Sequence, residues 1–328
     1  MMPEYPEISV IIPAYNTGSH LGSCLDSVLG QSFADWELII CDDGSTDETG
    51  KIADEYAETD SRIKVIHKAN AGVSAARNSC LDVAKGRYVA FVDADDTLDK
   101  DYLNGLLSHA KEHDADITQC SFRFVKDNGE RSADPYAADA IYKSRDGIME
   151  AYFSGPVGDI RVSVWAKLFR RDLFDDIRFD TDLRLFEDAY YVYECCKKAE
   201  TVFSFSEPLY FYRQHNDSTM CSRLTEIYPD YFAMFDMQKT DYANSAIIRK
   251  KIEAREAAVA LWLMRLMVRD GKKRDLWILR KNALRVTNDV HFSHAPFLLK
   301  LKLAGVALVP HLYFAMLKKK VASNNEKN

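Results

Sequence analysis

None of the seven cysteines forms a C-x-x-C pair and their number is odd, which argues against both a disulfide framework and a zinc knuckle. That usage fits a reducing cytosol. The first seven residues lack the basic and apolar pattern of a secretory leader, so a cytoplasmic location is expected. Neither G-x-x-x-x-G-K-[ST] nor G-x-G-x-x-G occurs, which leaves phosphate-loop and dinucleotide readings with little to stand on. There is no internal repeat, no low-complexity linker and no clean membrane-spanning run. The last apolar stretch, 297–317, is broken by Lys300, Lys302 and the Pro310-His311 pair.

What is present suffices for a substantial core: 328 residues, 47% hydrophobic and 12% aromatic, enough for one large domain with an appendage. The net charge of -7 hides an asymmetry. Residues 249–328 carry 18 Lys plus Arg against 6 Asp plus Glu, and residues 1–248 carry 25 against 44. A basic tail of this kind meets nucleic acid or anionic lipid. Because the tail's apolar stretch ends in Lys318-Lys319-Lys320, a helix lying in an anionic membrane surface is the expectation, with packing on the protein's own core as the alternative.

The first hundred residues alternate short β-branched runs with helical patterns. Runs at 8–12, 36–41, 63–67 and 88–92 read as buried strands. Helical spacing covers Leu21, Leu25 and Val28, then 46–58 with Ser45 or Thr46 as cap, then 74–84. A further strand is expected at 116–124, less regular ones at 162–169 and 208–212, and helices from 227 onward. Such alternation predicts an α/β fold with a mostly parallel sheet flanked by helices, whose ligand sits beyond the carboxyl ends of the strands.

That rule places four polar clusters on one rim: Tyr15-Asn16, Asp42-Asp43-Gly44-Ser45, Asn70-Ala71-Gly72 and Asp93-Ala94-Asp95-Asp96. If the chain stays extended, Asp93 and Asp95 point the same way, and Ala94 leaves room for a ligand. Paired carboxylates suit a hard divalent cation, Mg or Mn, that keeps positions open for phosphate oxygens. In the second cluster Ser45 or Thr46 caps a helix, whereas Asp43 either belongs to that turn or accepts an imide N–H from a base. Arg77 is within reach of a phosphate or a rim carboxylate. Glu187-Asp188, beside Phe186, Tyr190 and Tyr191, is either a helix start or a carboxylate pair whose burial suits a general base. Arg213, His215 and Ser218 sit in a loop able to close over an anion.

Taken in order, Ser9-Val10-Ile11-Ile12-Pro13-Ala14-Tyr15-Asn16, Asp42 to Asp47, Ala76-Arg77-Asn78, Asp93-x-Asp95, Trp165-Ala166-Lys167-Leu168, Glu187-Asp188 and Tyr212-Arg213 resemble a bacterial family 2 glycosyltransferase with the GT-A fold. The resemblance spans roughly residues 8–218 and implies a catalytic domain over 1–225, followed by a helical basic region over 226–328. It implies inverting transfer from a nucleotide sugar, most often a UDP-sugar, to a saccharide or lipid-linked acceptor of surface polysaccharide. By the same resemblance Pro13, Tyr15 and Asp43 hold the base, and Arg77, Asp93 and Ala94 lie near the nucleoside. Asp95 ligates the metal, and Asp188 is the base that activates the acceptor hydroxyl. Glu187 orients the acceptor, Arg213, His215 and Ser218 hold the diphosphate, and Trp165 and Lys167 line the sugar or acceptor pocket. Two rivals stand beside this reading. The run from Asp93 to Thr97 also resembles the D-x-D-x-T motif of haloacid-dehalogenase-type phosphohydrolases, and a non-catalytic membrane adaptor could reuse the same scaffold.

Overall fold

A computed structural model of the protein describes residues 5–126, 129–133, 138–154, 158–183, 186–214 and 224–269. These fall into two compact units, one built from 1–152 with 160–216 and the other from 153–159 with 217–328.

The first unit opens with β1 (Ile8–Ala14), α1 (Gly18–Leu29), β2 (Trp36–Asp42), α2 (Thr49–Thr59), β3 (Ile63–His67), α3 (Val73–Leu81) and β4 (Tyr88–Phe91). Every residue of β2 is buried, as expected for a strand covered on both faces, and β3 at the edge is half polar. β1 pairs in parallel with β2 and β4, and β2 with β3. Leu21, Cys24, Leu25 and Val28 form the buried stripe of α1.

Then follow β5 (Thr97–Leu98), α4 (Tyr102–Glu112), β6 (Ile117–Lys126), β7 (Arg131–Ala133), β8 (Ala140–Lys143), α5 (Arg145–Tyr152), β9 (Lys167–Arg170), α6 (Arg171–Phe174), α7 (Glu187–Lys198) and β10 (Thr201–Gln214). All ten strands form one sheet, in the main order β3-β2-β1-β4-β9-β6-β10-β5, with β7 on β6 and β8 on β10. β6 and β10 are parallel to each other, while β9 joins β4 to β6 antiparallel to both. The chain is therefore α/β, with its parallel half carrying the rim.

Register sets that rim. Ala14 lies level with Asp42, and Asp42 with His67, so β1, β2 and β3 end together. β4 leaves earlier. Ile11 O accepts the Val92 N–H at 3.0 Å, and by strand alternation the next group on that side is Pro13 N, which has no hydrogen to give. Loss of that ladder bond frees the chain at Asp93 to turn.

Two boundaries differ from expectation. α2 starts at Thr49, because Ser45 and Thr46 are used elsewhere: Asn16 N–H donates to Ser45 Oγ at 3.0 Å, and Thr46 N–H to Asn16 Oδ1 at 2.9 Å. Asp47 serves the helix start instead, accepting Thr49 N–H at 3.0 Å. Of the segment 162–169, only the part from Lys167 is strand.

In the second unit α8 (Leu224–Asp241) and α9 (Ala246–Arg269) form a helical hairpin. Phe232, Phe235, Ile248 and Ile252 are buried, and Lys239 pairs with Glu256 at 2.9 Å. The apolar stretch 297–317 and its lysines lie outside the described residues. Among those described, no helix is long and apolar enough to cross a membrane.

Candidate active site

The polar rim condenses around one guanidinium. Arg77, on α3, is almost fully buried, and its Nη2 donates to Asp93 Oδ1 at 3.1 Å. Its Nη1 donates to Glu187 Oε1 at 3.1 Å and to Asp188 Oδ1 at 2.5 Å. Phe179 stacks on Tyr191 at 4.1 Å and lies under the guanidinium, whose Cζ is 5.1 Å from the ring centroid. Asn78 fixes that ring by exchanging two 2.8 Å hydrogen bonds with the Phe179 backbone.

Glu187 and Asp188 occupy the first turn of α7, where the helix dipole favours carboxylates. Phe186 before them adopts a left-handed φ of 65°, which turns the chain into the helix. Thus the pair is a helix start and also part of the rim cluster. Burial and the neighbouring Asp188 push Glu187 up to about 7, against the pull of Arg77. Burial likewise raises Asp93 to about 6; Arg77 opposes the rise, and Asp188 and Asp95 add to it. One cation does not balance three carboxylates.

Asp93 and Asp95 do not alternate along an extended chain. Asp96 N–H donates to Asp93 O at 3.0 Å, closing a turn over Ala94-Asp95. The Ala94 methyl consequently packs in the hydrophobic core instead of making room for a ligand. Asp96 faces inward, where it accepts the Tyr210 hydroxyl at 2.6 Å and the Arg213 N–H at 2.7 Å. Burial, then Asp93 and Asp95, hold it well above the usual carboxylate range. Arg213 Nε donates to Asp95 O at 3.1 Å, so this arginine braces the turn. Asp95 itself stays partly exposed at the rim.

At the neighbouring strand ends, Tyr15 is half exposed and Asn16 takes a left-handed φ of 51°. Asp43 is buried and accepts from Lys68 Nζ at 2.8 Å, Ala71 N–H at 3.0 Å and Gly72 N–H at 2.7 Å. It therefore holds the 68–72 loop, whatever else it meets. Trp165 stacks on Tyr210 at 4.9 Å and on Tyr212 at 5.2 Å, forming an aromatic wall next to the Asp93 turn.

Lys167 corrects an expectation. Its side chain is fully buried, with Nζ donating to Ser163 O at 2.7 Å, and does not line an open pocket. Burial, reinforced by Arg161, brings the ammonium down to about 7. His215 and Ser218 lie outside the described residues.

Tyr210 and Phe179 were missed by sequence reasoning. Both look like ordinary core aromatics, and only the third dimension places the Tyr210 hydroxyl between Asp93 N–H, at 3.2 Å, and Asp96.

This rim can be set against known proteins. The Glycosyl transferase family 2 profile matches residues 9–178. The chain belongs to that family. The uncharacterized glycosyltransferase EpsJ of Bacillus subtilis is 34% identical over 224 residues, which are 68% of this chain and 64% of EpsJ. TuaG of the same organism, named for teichuronic acid biosynthesis, is 43% identical over 121 residues, 37% of this chain and 46% of its own. The structure of S. aureus TarS residues 1–349 with UDP-GlcNAc superposes with a TM-score of 0.70 at 19% identity, covering 97% of this chain and 92% of that one. The fold of this family 2 chain is thus GT-A. The phosphohydrolase alternative falls with that assignment.

Proposed function

We propose that this family 2 chain is a metal-dependent, inverting glycosyltransferase that moves a hexosyl or N-acetylhexosaminyl group from a UDP-sugar to a hydroxyl of a saccharide or lipid-linked acceptor in surface-polysaccharide assembly. The observation that carries the reading is the meeting of Asp188 with Arg77 and Asp93 beside the Asp95 turn. A candidate base from α7 and a candidate metal ligand from the end of β4 come to one rim. UDP-GlcNAc in the TarS structure and the name of TuaG support the donor and acceptor classes.

The donor set fits a divalent cation. Asp93, Glu187 and Asp188 share Arg77 as their buried cation, Asp95 follows on the Asp93 turn, and neighbouring carboxylates add to the rise that burial gives Asp93 and Glu187. All donors are oxygens, as Mg and Mn prefer. Asp95 is the ligand we assign, and a bound cation would neutralise the leaving diphosphate.

The remaining steps fall to the chain. Pro13 and Tyr15 flank the base, the exposed Tyr15 ring offering a stacking face, while Asp43 accepts its imide N–H. In this reading Asp93 and Arg77 stand near the nucleoside, and Arg213, His215 and Ser218 hold the diphosphate. Trp165 supplies an aromatic wall for the sugar. Asp188 removes the acceptor proton as the hydroxyl oxygen attacks the anomeric carbon. The new C–O bond forms opposite the breaking bond to the diphosphate, which inverts the configuration. Glu187 orients the acceptor. Residues 297–328 hold the enzyme to the cytoplasmic face of the membrane.

The test is a screen of UDP-Glc, UDP-Gal, UDP-GlcNAc, UDP-GalNAc and GDP-Man for nucleoside diphosphate release with Mn. Asp188→Asn should cut turnover of the preferred donor at least a hundredfold while UDP still binds. Wild-type turnover in that variant would refute Asp188 as the base, whereas intact cellular function in a variant that turns over no donor would leave the non-catalytic adaptor as the better reading.

A further inference from the structure

Lys167 is a basic side chain with no exposed surface. Its ammonium makes one hydrogen bond, at 2.7 Å, to the carbonyl oxygen of Ser163. The other end of that same peptide group, Val164 N–H, donates to Asp188 Oδ2 at 3.3 Å. The peptide is trans, so its oxygen and hydrogen point in opposite directions, and the ammonium and the carboxylate lie on opposite sides of it. The peptide dipole is aligned with both charges, its negative end on Lys167 and its positive end on Asp188. Hydrogen bonds in such a chain strengthen one another.

Asp188 is therefore gripped on both oxygens, directly by Arg77 on Oδ1 and through one peptide on Oδ2. A buried ammonium without a carboxylate in direct contact is costly to keep. The charged or titratable groups around it include Arg161, Cys120 on β6, Tyr102 on α4, and Cys196 and Asp188 on α7. Arg161 opposes its charge. The one group in this set whose placement its hydrogen bond serves is Asp188.

We propose that Lys167 is a positioning residue for Asp188, acting through the Ser163–Val164 peptide to fix the carboxylate oxygen that faces the acceptor hydroxyl. This rests on the reading of Asp188 as the base. Without the ammonium, the Ser163 carbonyl is free to turn, the Val164 N–H loses its aim, and Asp188 rotates about Arg77.

The experiment uses the full chain and the donor preferred in the screen, read as nucleoside diphosphate release with Mn. Lys167→Met should lower kcat about thirtyfold, leave the donor KM and UDP binding within twofold, and leave the thermal midpoint equal or higher. Placed on top of Asp188→Asn, it should add less than a twofold further loss, because the two act as one unit. A kcat within twofold of wild type overturns the proposal. So does a loss that multiplies in the Asp188→Asn background, or one confined to KM. If Lys167→Met does not fold, Lys167→Gln, which keeps a donor without the charge, is judged by the same criteria. Failure of the underlying reading is separate: Asp188→Asn would then turn over like wild type whatever Lys167 does.

Discussion

Arg77 and Asp188 are 111 residues apart in the chain and 2.5 Å apart in the fold. The same guanidinium holds Asp93 and Glu187, each at 3.1 Å. Removing it strands three carboxylates in a site where its own side chain is only 4% exposed. Arg77→Met should therefore destabilise the protein by about 3–5 kcal/mol at pH 7.5, the usual cost of breaking a buried pair from one side. Urea denaturation measures it. The deficit should shrink at pH 5, where Asp93 and Glu187, already raised to about 6 and 7, take up protons and lose their need for a partner. A deficit independent of pH would show that packing on Phe179, not charge, is what Arg77 supplies.

Asp95 stands at a partly exposed corner of its turn, with Arg213 bracing its carbonyl. Asp95→Ala should leave the thermal midpoint within a few degrees and reduce Mn-dependent nucleotide release at least a hundredfold. Undiminished release would refute the metal assignment.

Gly44 closes the turn after β2 with φ 76°, and a Cβ there would lie 2.8 Å from Asn70 N and 3.1 Å from Lys68 O. Both are backbone atoms of the loop that Asp43 holds. Gly44→Ala should cost about 1–3 kcal/mol through strain and displacement. UDP affinity should fall with it, since the loop flanks the proposed base site; calorimetry with UDP and Mn checks this.

How much of this was legible in the sequence depends on the range of each interaction. β1 to β4 were readable because their apolar runs are local and bounded by turn residues, and Ile63–His67 came out with the same ends. The turn at Asp93 was not, because its cause is a missing N–H on another strand, at Pro13. Ser45 and Thr46 misled for a similar reason: a partner 29 or 30 residues away, Asn16, claims them before the helix does. Lys167 was placed at a pocket wall by the family resemblance alone, and nothing in the sequence announces a buried ammonium. Glu187-Asp188 was legible as a pair, but its convergence on Arg77 required the fold.

Residues 249–328 carry 18 basic against 6 acidic side chains. If the tail holds the enzyme to anionic lipid, deleting 297–328 should abolish sedimentation with phosphatidylglycerol vesicles. Binding to phosphatidylcholine vesicles should be weak in both forms, and 0.5 M salt should release the full chain. Equal sedimentation of both forms would defeat the tail assignment.

Glu187 gives the fold a pH dependence of unusual sign. Its folded-state value, about 7, lies above the 4.5 of an ordinary glutamate, so between those values the native state holds a proton that the unfolded chain has released. Stability must then fall as pH rises through that window. The cause is burial together with the adjacent Asp188, with Arg77 too heavily shared to offset them. Glu187→Gln mimics the protonated form and should remove its share of the slope, leaving the part that the raised Asp93 and Asp96 contribute. It should be more stable than wild type at pH 8, by on the order of 2–3 kcal/mol at most, and no more stable at pH 4.5. Chemical denaturation across pH 4.5–8 reads both curves. Parallel curves for wild type and variant would mean that Glu187 stays ionised throughout, and that Arg77 neutralises it after all.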